Sequence, residues 1–468
     1  MQNEKQKETV TMKQRFGYRA AMFCLSLLLC VSLSGLSGCV MEFDATTTTS
    51  DVGVLSPYQL AVQSGFEGSE EEWYAALRGA SAYDIWLGLG NTGSEQDFID
   101  SLSPTIQQYD ITIQAEAGQA ALGKAILSCV SIYADFDVTY RIGSHTFTEQ
   151  ESAAGSGAIY QLDKASGDAY IITNYHVVYH PDSDTPDGIS DEIYIYLYGM
   201  EYEPYQIEVE YVGGSMYYDI AVLRVKDSSI LAGSDACAVE PADSNGVAAG
   251  QTAIAIGNPE AQGISATSGI VCVDSEYITM ISPDERAVVT QRVIRVDTPI
   301  NFGNSGGGLF SAQGQLIGIV NAKMVDAETE NIGYAIPANI AVNVAQNIID
   351  HCADGTLNTL QRCMLGVSVE VGGSKAVYDP SSGMARVVER VEVSSVAPGS
   401  LAEGKLQAGD VIVSLELRGC TYEVSRTFVV VDAMLNARVG DTVTLHLLRG
   451  NTPVEVEIVV DAASVNAY

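Results

Sequence analysis

From Cys129 to Pro337 the chain is written as short β-rich runs cut by glycine. Tyr170–Thr173, Ile193–Tyr198, Ile220–Val225 and Leu316–Val320 are built from β-branched, aromatic and aliphatic side chains bounded by turn formers. Many short strands with few helices close into a barrel or a sandwich, because each strand must bury one face against another sheet. Helical patterns border the region. One covers 113–127 and leads into the apolar run Cys129–Phe136; the other covers Ala338–His351. A second mixed segment, Leu365–Tyr468, follows.

The 468 residues allow two to four domains. A formal net charge of −35, from 59 acidic against 24 basic residues, excludes nucleic acid as a partner and excludes electrostatic docking on anionic lipid. Membrane attachment therefore needs another cause. Lys13, Arg15 and Arg19 precede an apolar stretch from Ala20 to Leu36, which has the form of an export signal rather than a spanning helix. It ends in Leu36-Ser37-Gly38-Cys39, which resembles the lipobox of bacterial lipoproteins. The resemblance implies a signal over 1–39, acylation of Cys39, and a lipid-tethered protein on the outer face of the cell membrane.

Residues 40–55 form a polar spacer containing Thr46–Ser50. Residues 56–103 repeat with a 25-residue period: Ser56–Leu60 recurs as Ser81–Ile85, Trp73 matches Phe98 and Leu77 matches Leu102. Each unit reads as helix, glycine turn, helix, with Ser69 and Ser94 as N-caps, and the pair is expected to be a small helical spacer. Cys24 and Cys30 fall in the signal. The six cysteines after Cys39 include no CxxC pair and no metal-ligand spacing, and buried free thiols are expected for most of them. No metal or other cofactor is expected.

The chemistry concentrates in Gly303-Asn304-Ser305-Gly306-Gly307. A serine hydroxyl needs a base in hydrogen-bond reach and N–H donors for the oxyanion. Glycines beside it allow the backbone to turn the Gly303 and Ser305 N–H groups towards one point. Thr173-Asn174-Tyr175-His176 puts a histidine at the end of an apolar strand, and the chain has only 5 His. Asp219 stands directly before the buried run Ile220–Leu223, where an unpaired carboxylate would be costly. His176 is the fitting partner.

The order His176, Asp219, Ser305 resembles that of trypsin-like proteases, and the surrounding words resemble the HtrA/Deg family of serine proteases. Those words are Gly155-Ser156-Gly157, Ile256–Pro259, Thr267–Val271 and Asn331–Pro337. The resemblance implies a mainly β fold, with a trypsin-like double six-stranded β-barrel over 105–351 and the site between the two barrels. His176 and Asp219 would come from the first barrel and Ser305 from the second. It further implies a substrate pocket lined by Pro299, Ile332, Gly333, Tyr334 and Ala335. Pro299 stands where a trypsin-type pocket carries its acid, so cleavage after small or medium aliphatic residues is expected. Phe302 and Gly308 occupy positions where the family usually has proline, which leaves the pose of the oxyanion loop to the structure. Tyr179–Ser190 is an acidic insert after His176, read as a solvated loop, with a disfavouring of acidic substrates as its other reading.

Leu365-Gly366-Val367, Val396–Ala402 and Leu406–Ile412 resemble a permuted bacterial PDZ domain, placed over 360–468. Such domains take a peptide C-terminus as an added strand, and the backbone N–H groups of Leu365, Gly366 and Val367 would hold its carboxylate. The expected activity is a serine endopeptidase acting on exported or misfolded proteins, with a homotrimer implied by the family. The alternative is a chaperone or adaptor that binds unfolded proteins with little proteolysis.

Overall fold

The computed structural model describes residues 120–142, 145–321, 332–352, 355, 357–380 and 382–467, with isolated positions before Pro104. The signal segment, Cys39, the spacer and nearly all of the repeats lie outside the described residues. All the sheets belong to the part of the chain from Thr105 onward.

Seven strands make the first sheet: β1 (Cys129–Ile142), β2 (His145–Asp163), β3 (Asp168–Thr173), β4 (Glu192–Leu197), β5 (Ile207–Glu208), β6 (Glu210–Ser215) and β7 (Ile220–Val225). Their order is β5-β4-β1-β2-β3-β7-β6. Alternation decides which face carries the core. Val130, Ile132, Ala134, Phe136 and Val138 of β1 point into one core with Ile193, Ile195 and Leu197 of β4 and Ala221, Leu223 and Val225 of β7. The intervening residues of β1 and β4 point to the opposite face, where Cys129 and Ser131 are buried and Tyr133, Asp135, Tyr194 and Tyr196 are half-buried.

The next six strands are β8 (Thr252–Gly257), β9 (Ser265–Ile281), β10 (Val288–Val296), β11 (Gly308–Phe310), β12 (Leu316–Val320) and β13 (Gly333–Pro337). They close into a barrel in the order β10-β13-β12-β11-β8-β9. Closure removes the sheet edges that would otherwise present unpaired backbone. Helix α1 covers 120–127 at the entrance to β1, and the short α2 (Ser229–Gly233) follows β7. Helix α3 (Ala338–Cys352) leaves β13 directly. Its buried residues, Ala338, Ala341, Ala345 and Ile348, recur every three or four positions and join a core shared with Ile220 and Ile256.

The C-terminal sheet contains β15 (Val367–Asp379), β16 (Met384–Val396), β17 (Asp410–Leu417), β19 (Thr442–Arg449) and β20 (Thr452–Val459), in the order β15-β16-β17-β19-β20. β18 (Cys420–Glu423) pairs with β17, while β14 (Gln361–Cys363) pairs with β21 (Val465–Ala467). Helix α4 (Thr427–Met434) covers the sheet. It also docks on the preceding barrel. Arg292 of β10 forms a buried ion pair with Asp432 and stacks 3.9 Å above the Phe428 ring. Arg426 bonds Asp274 of β9 at 2.8 Å and Glu389 at 3.2 Å. Asn347 of α3 donates to the carbonyls of Gln361 at 2.9 Å and Leu435 at 3.3 Å. Cys129, Cys237, Cys272, Cys352, Cys363 and Cys420 all carry free thiols.

Candidate active site

β3 ends at Thr173, and the chain passes Asn174 into a single 3-10 turn, Tyr175–Val177. Tyr175 and Val177 are buried in the first core, which leaves His176 between them half-buried. Burial pushes the Tyr175 phenol up to about 12, so it is a neutral packing group.

Asp219 enters β7 in a left-handed conformation, φ +50°, a region that Asp tolerates better than most residues. Its side chain is wholly buried. Oδ1 accepts the His176 main-chain N–H at 3.0 Å. Oδ2 lies 2.8 Å from His176 Nδ1 and accepts Asn321 Nδ2 at 2.7 Å. The Asp219 carbonyl accepts Asn174 Nδ2 at 2.8 Å. Three donors on one carboxylate are what its burial requires. Because a carboxylate only accepts, Nδ1 carries the imidazole proton and Nε2 keeps the lone pair.

Ser305 lies in the loop joining β10 to β11 and is buried. Its carbonyl accepts the Ser156 N–H at 2.8 Å. Gly306, at φ +83°, lets that loop close on β3: a Cβ there would stand 2.3 Å from Thr173 Oγ1 and 3.0 Å from the Asn174 nitrogen. A Cβ on Gly155 would meet Val177 at 2.6 Å and the Ser305 carbonyl at 3.2 Å. Two glycines thus bring the serine loop against the turn that carries His176.

Gly303, at φ +92°, is held on both sides. The Phe302 carbonyl accepts the Glu260 N–H at 2.8 Å. Ser156 Oγ donates to the Gly303 carbonyl at 2.7 Å and itself accepts the Asn258 N–H at 2.7 Å. In a trans peptide the C=O and the following N–H point in opposite directions. Fixing the Phe302 carbonyl on Glu260 therefore directs the Gly303 N–H away from that loop. The Asn304 carbonyl accepts the Gly307 N–H at 3.0 Å and aims the Ser305 N–H in the same way. Glu260 and Ala261 stand at φ +55° and +56°, a strained pair of non-glycine residues beside this contact.

Pro299 is exposed and its carbonyl accepts Thr267 Oγ1 at 2.8 Å. Gly333 is buried opposite Val296, and a Cβ there would be 2.5 Å from Ile300. Ile332 and Tyr334 are half-buried, and the Tyr334 carbonyl accepts the Asn321 N–H at 3.0 Å. Ala335 lies in the barrel core with Ile294 and Val320, so among the residues expected to line the pocket it has no open face. Asn321, Ser156 and Glu260 were not singled out as site residues from the sequence. Asn321 carried a signal, a polar residue directly after the wholly apolar Leu316–Val320, the mirror of Asp219 before Ile220. Glu260 acts through its main chain and carried none. The acidic insert is tied back on β1, where Asp184 accepts the Thr139 N–H at 3.1 Å.

The same peptide-fixing device recurs at the start of β15. The Leu365 carbonyl accepts the Ala402 N–H at 3.1 Å and the Gly366 carbonyl accepts the Ala397 N–H at 2.8 Å, which turns the N–H groups of Gly366 and Val367 the other way. Gly366 has φ +76°, and a Cβ there would meet Ser400 at 2.1 Å. Leu365 itself is buried in the core of the C-terminal sheet. β15 is an edge strand, and a cavity of about 170 Å³ opens beside Gly366 and Ser400.

Residues 155–319 match a trypsin-like peptidase domain and residues 363–460 match a PDZ domain. Serine protease Do-like HtrA of Lactococcus lactis subsp. lactis is 32% identical over 327 residues, covering 66% of this chain and 71% of that protein. Serine protease Do-like HtrA of Bacillus subtilis is 29% identical over 383 residues, covering 78% and 72%. Periplasmic pH-dependent serine endoprotease DegQ of Escherichia coli is 31% identical over 319 residues, covering 66% and 60%. A solved structure, HtrA-type protease AlgW with decapeptide, aligns at TM-score 0.43 and 25% identity over 74% of this chain and 98% of the other.

Proposed function

The chain belongs to the HtrA family of trypsin-like serine proteases with a PDZ domain, and on that premise we propose that Ser305 is its nucleophile, His176 its general base and Asp219 the residue that holds the base in place. The observation that carries this reading is the wholly buried Asp219 bonded to His176 Nδ1 at 2.8 Å. That bond selects the tautomer with a free electron pair on Nε2.

In the proposed reaction Ser305 Oγ attacks the scissile carbonyl and Nε2 takes its proton. The carbonyl oxygen gains the negative charge and is met by the Gly303 and Ser305 N–H groups. The tetrahedral species collapses as His176 returns the proton to the leaving amine. Water then repeats the sequence on the acyl-enzyme and frees Ser305. Asp219 stabilises the imidazolium and stays ionised throughout. Pro299, Ile332, Gly333 and Tyr334, with Ile300 packed against Gly333, supply an uncharged acyl-side pocket that suits Val, Ala or Leu before the cut.

Domain limits of 105–351 for the protease and 360–468 for the PDZ domain complete this reading. The PDZ domain takes a C-terminal or exposed peptide segment along β15, with its carboxylate at Gly366 and Val367. Acylated Cys39 tethers the enzyme at the outer face of the membrane, and three copies assemble, so its substrates are exported or misfolded proteins. A fluorophosphonate probe tests the assignment. Labelling is expected at Ser305 and is lost in Ser305→Ala, together with degradation of unfolded casein. Casein cleavage at the wild-type rate by Ser305→Ala refutes it.

A further inference from the structure

Beside the Ser305 loop, three strands present a graded face on the side of the sheet opposite its core, buried at the site and opening away from it. Register defines it rung by rung. Ser156 of β2 lies opposite Ser131 of β1, and Ser131 lies opposite Tyr196 of β4. This first rung touches the site, because Ser156 Oγ donates to the Gly303 carbonyl at 2.7 Å. The next rung is Ala154, Tyr133 and Tyr194, and the one after it Ser152, Asp135 and Glu192. Rungs on one face are roughly 6.6 Å apart. Ser131 and Ser156 are wholly buried, so the face opens to a peptide only at the tyrosine rung, about two residues from the Ser305 loop, with the carboxylates about two residues further on.

The tyrosines are not core residues. Tyr133 stacks on Tyr194 with centroids 5.6 Å apart, and each meets Tyr196 edge-on at 5.9 Å. All three are half-buried, and none belongs to the hydrophobic core beneath β1 and β4, which takes Ile132, Ile193 and Ile195 instead. The Tyr133 hydroxyl accepts Asn258 Nδ2 at 3.3 Å and so ties the rings to the loop that fixes Gly303. Asp135 accepts a hydrogen bond from Ser152 Oγ of the same rung, which leaves its charge uncompensated. Among the described residues neither Asp135 nor Glu192 has a cationic partner, whereas the nearby Lys226 is paired with Glu210 and Arg224 lies 5.7 Å over Tyr170. Asp137, next on the outer face of β1, is exposed and extends the negative track.

We infer that this face is a leaving-group-side subsite for a basic side chain, arginine above all, two to four residues beyond the scissile bond. A guanidinium stacks on tyrosine faces, its long stem spans from one rung to the next, and the carboxylates complete its charge. The inference rests on Ser305 as nucleophile. Internally quenched peptides with one aliphatic acyl side and Arg, Ala or Glu at the second and third positions after the cut test it, beside the acyl anilide that lacks those positions. In the wild type kcat/KM is expected to favour Arg over Glu by about tenfold. Within the single variant Glu192→Lys that ratio falls to about one or inverts, and in Tyr194→Leu it falls severalfold. The ratio is internal to each variant, so partial misfolding does not mimic the result. Equal turnover of the Arg and Glu peptides by an enzyme that cleaves the anilide overturns the subsite, and so does a ratio that survives both substitutions. An anilide left uncut, with Ser305 unlabelled, overturns the catalytic reading instead.

Discussion

At Gly303 the proposed chemistry depends on main-chain atoms. The Glu260 N–H that holds the Phe302 carbonyl comes from a residue at φ +55°. Glu260→Pro removes that donor and demands a φ near −65°. Loss of one aimed oxyanion donor costs roughly 10²–10³ in kcat, and that fall is expected here with KM little changed. Glu260→Gly keeps the N–H and suits the left-handed backbone, so activity should match the wild type and stability should stay within about 1 kcal/mol of it. Steady-state kinetics and thermal melts on the two variants decide the point. Equal activity in both would show that the contact does not set the Gly303 pose. The residues proposed to carry the side-chain chemistry stand out in the sequence, because a serine between glycines, a histidine ending a strand and an aspartate opening one each call for a partner, and the structure pairs His176 with Asp219. The latch was not legible, since a peptide N–H looks the same whichever side chain accompanies it.

Among the elements, the period-two runs announced the strands and Ala338–His351 announced α3, which extends one residue further to Cys352. The two-residue β5 escaped notice, being too short to show a period. Gly409-Asp410 opens β17, and the structure supplies the energetic reason. Asp410 is fully buried, meets Arg449 Nε and Nη2 at 2.8 Å each and accepts the Gln407 N–H at 3.0 Å. The Arg449 bonds, then the Gln407 bond, hold the Asp410 carboxyl below its usual range against the opposing effect of burial. A carboxylate with a lowered folded-state pKa stabilises the fold above its unfolded pKa. The contribution is lost as pH falls through the folded value, so the C-terminal sheet should soften below about pH 4. Asp410→Asn is expected to cost about 2–3 kcal/mol at neutral pH and to flatten that acid dependence, as read by denaturant melts.

For the whole molecule, α4 is shared property. It covers the sheet whose edge strand is β15, and through Arg292 and Asp432 it grips β10, which leads into the loop of Ser305. Burial pushes the Asp432 carboxyl up while Arg292 draws it back, so the pair stands or falls together. Arg292→Met leaves a buried carboxylate without its cation. Hydrogen exchange should then speed up in α4 and β10 alone, with about 3 kcal/mol of local protection lost. Where a C-terminal peptide changes the rate of Ser305 labelling in the wild type, it should still bind Arg292→Met but leave that rate unaltered. Adding Asp432→Leu should recover much of the protection. Unchanged exchange in Arg292→Met would show that the grip is incidental.

The main-chain latch at Gly303 has a consequence for how such an enzyme can diversify. Phe302 is 80% exposed, and neither its ring nor the Glu260 carboxylate takes part in the contact between their peptides. Phe302 is therefore open to change, and Glu260 to any residue that keeps an N–H and tolerates a left-handed backbone. Lineages can try new residues at the rim of the cleft, and so new diets of substrate, while inheriting the same bond-breaking apparatus unaltered.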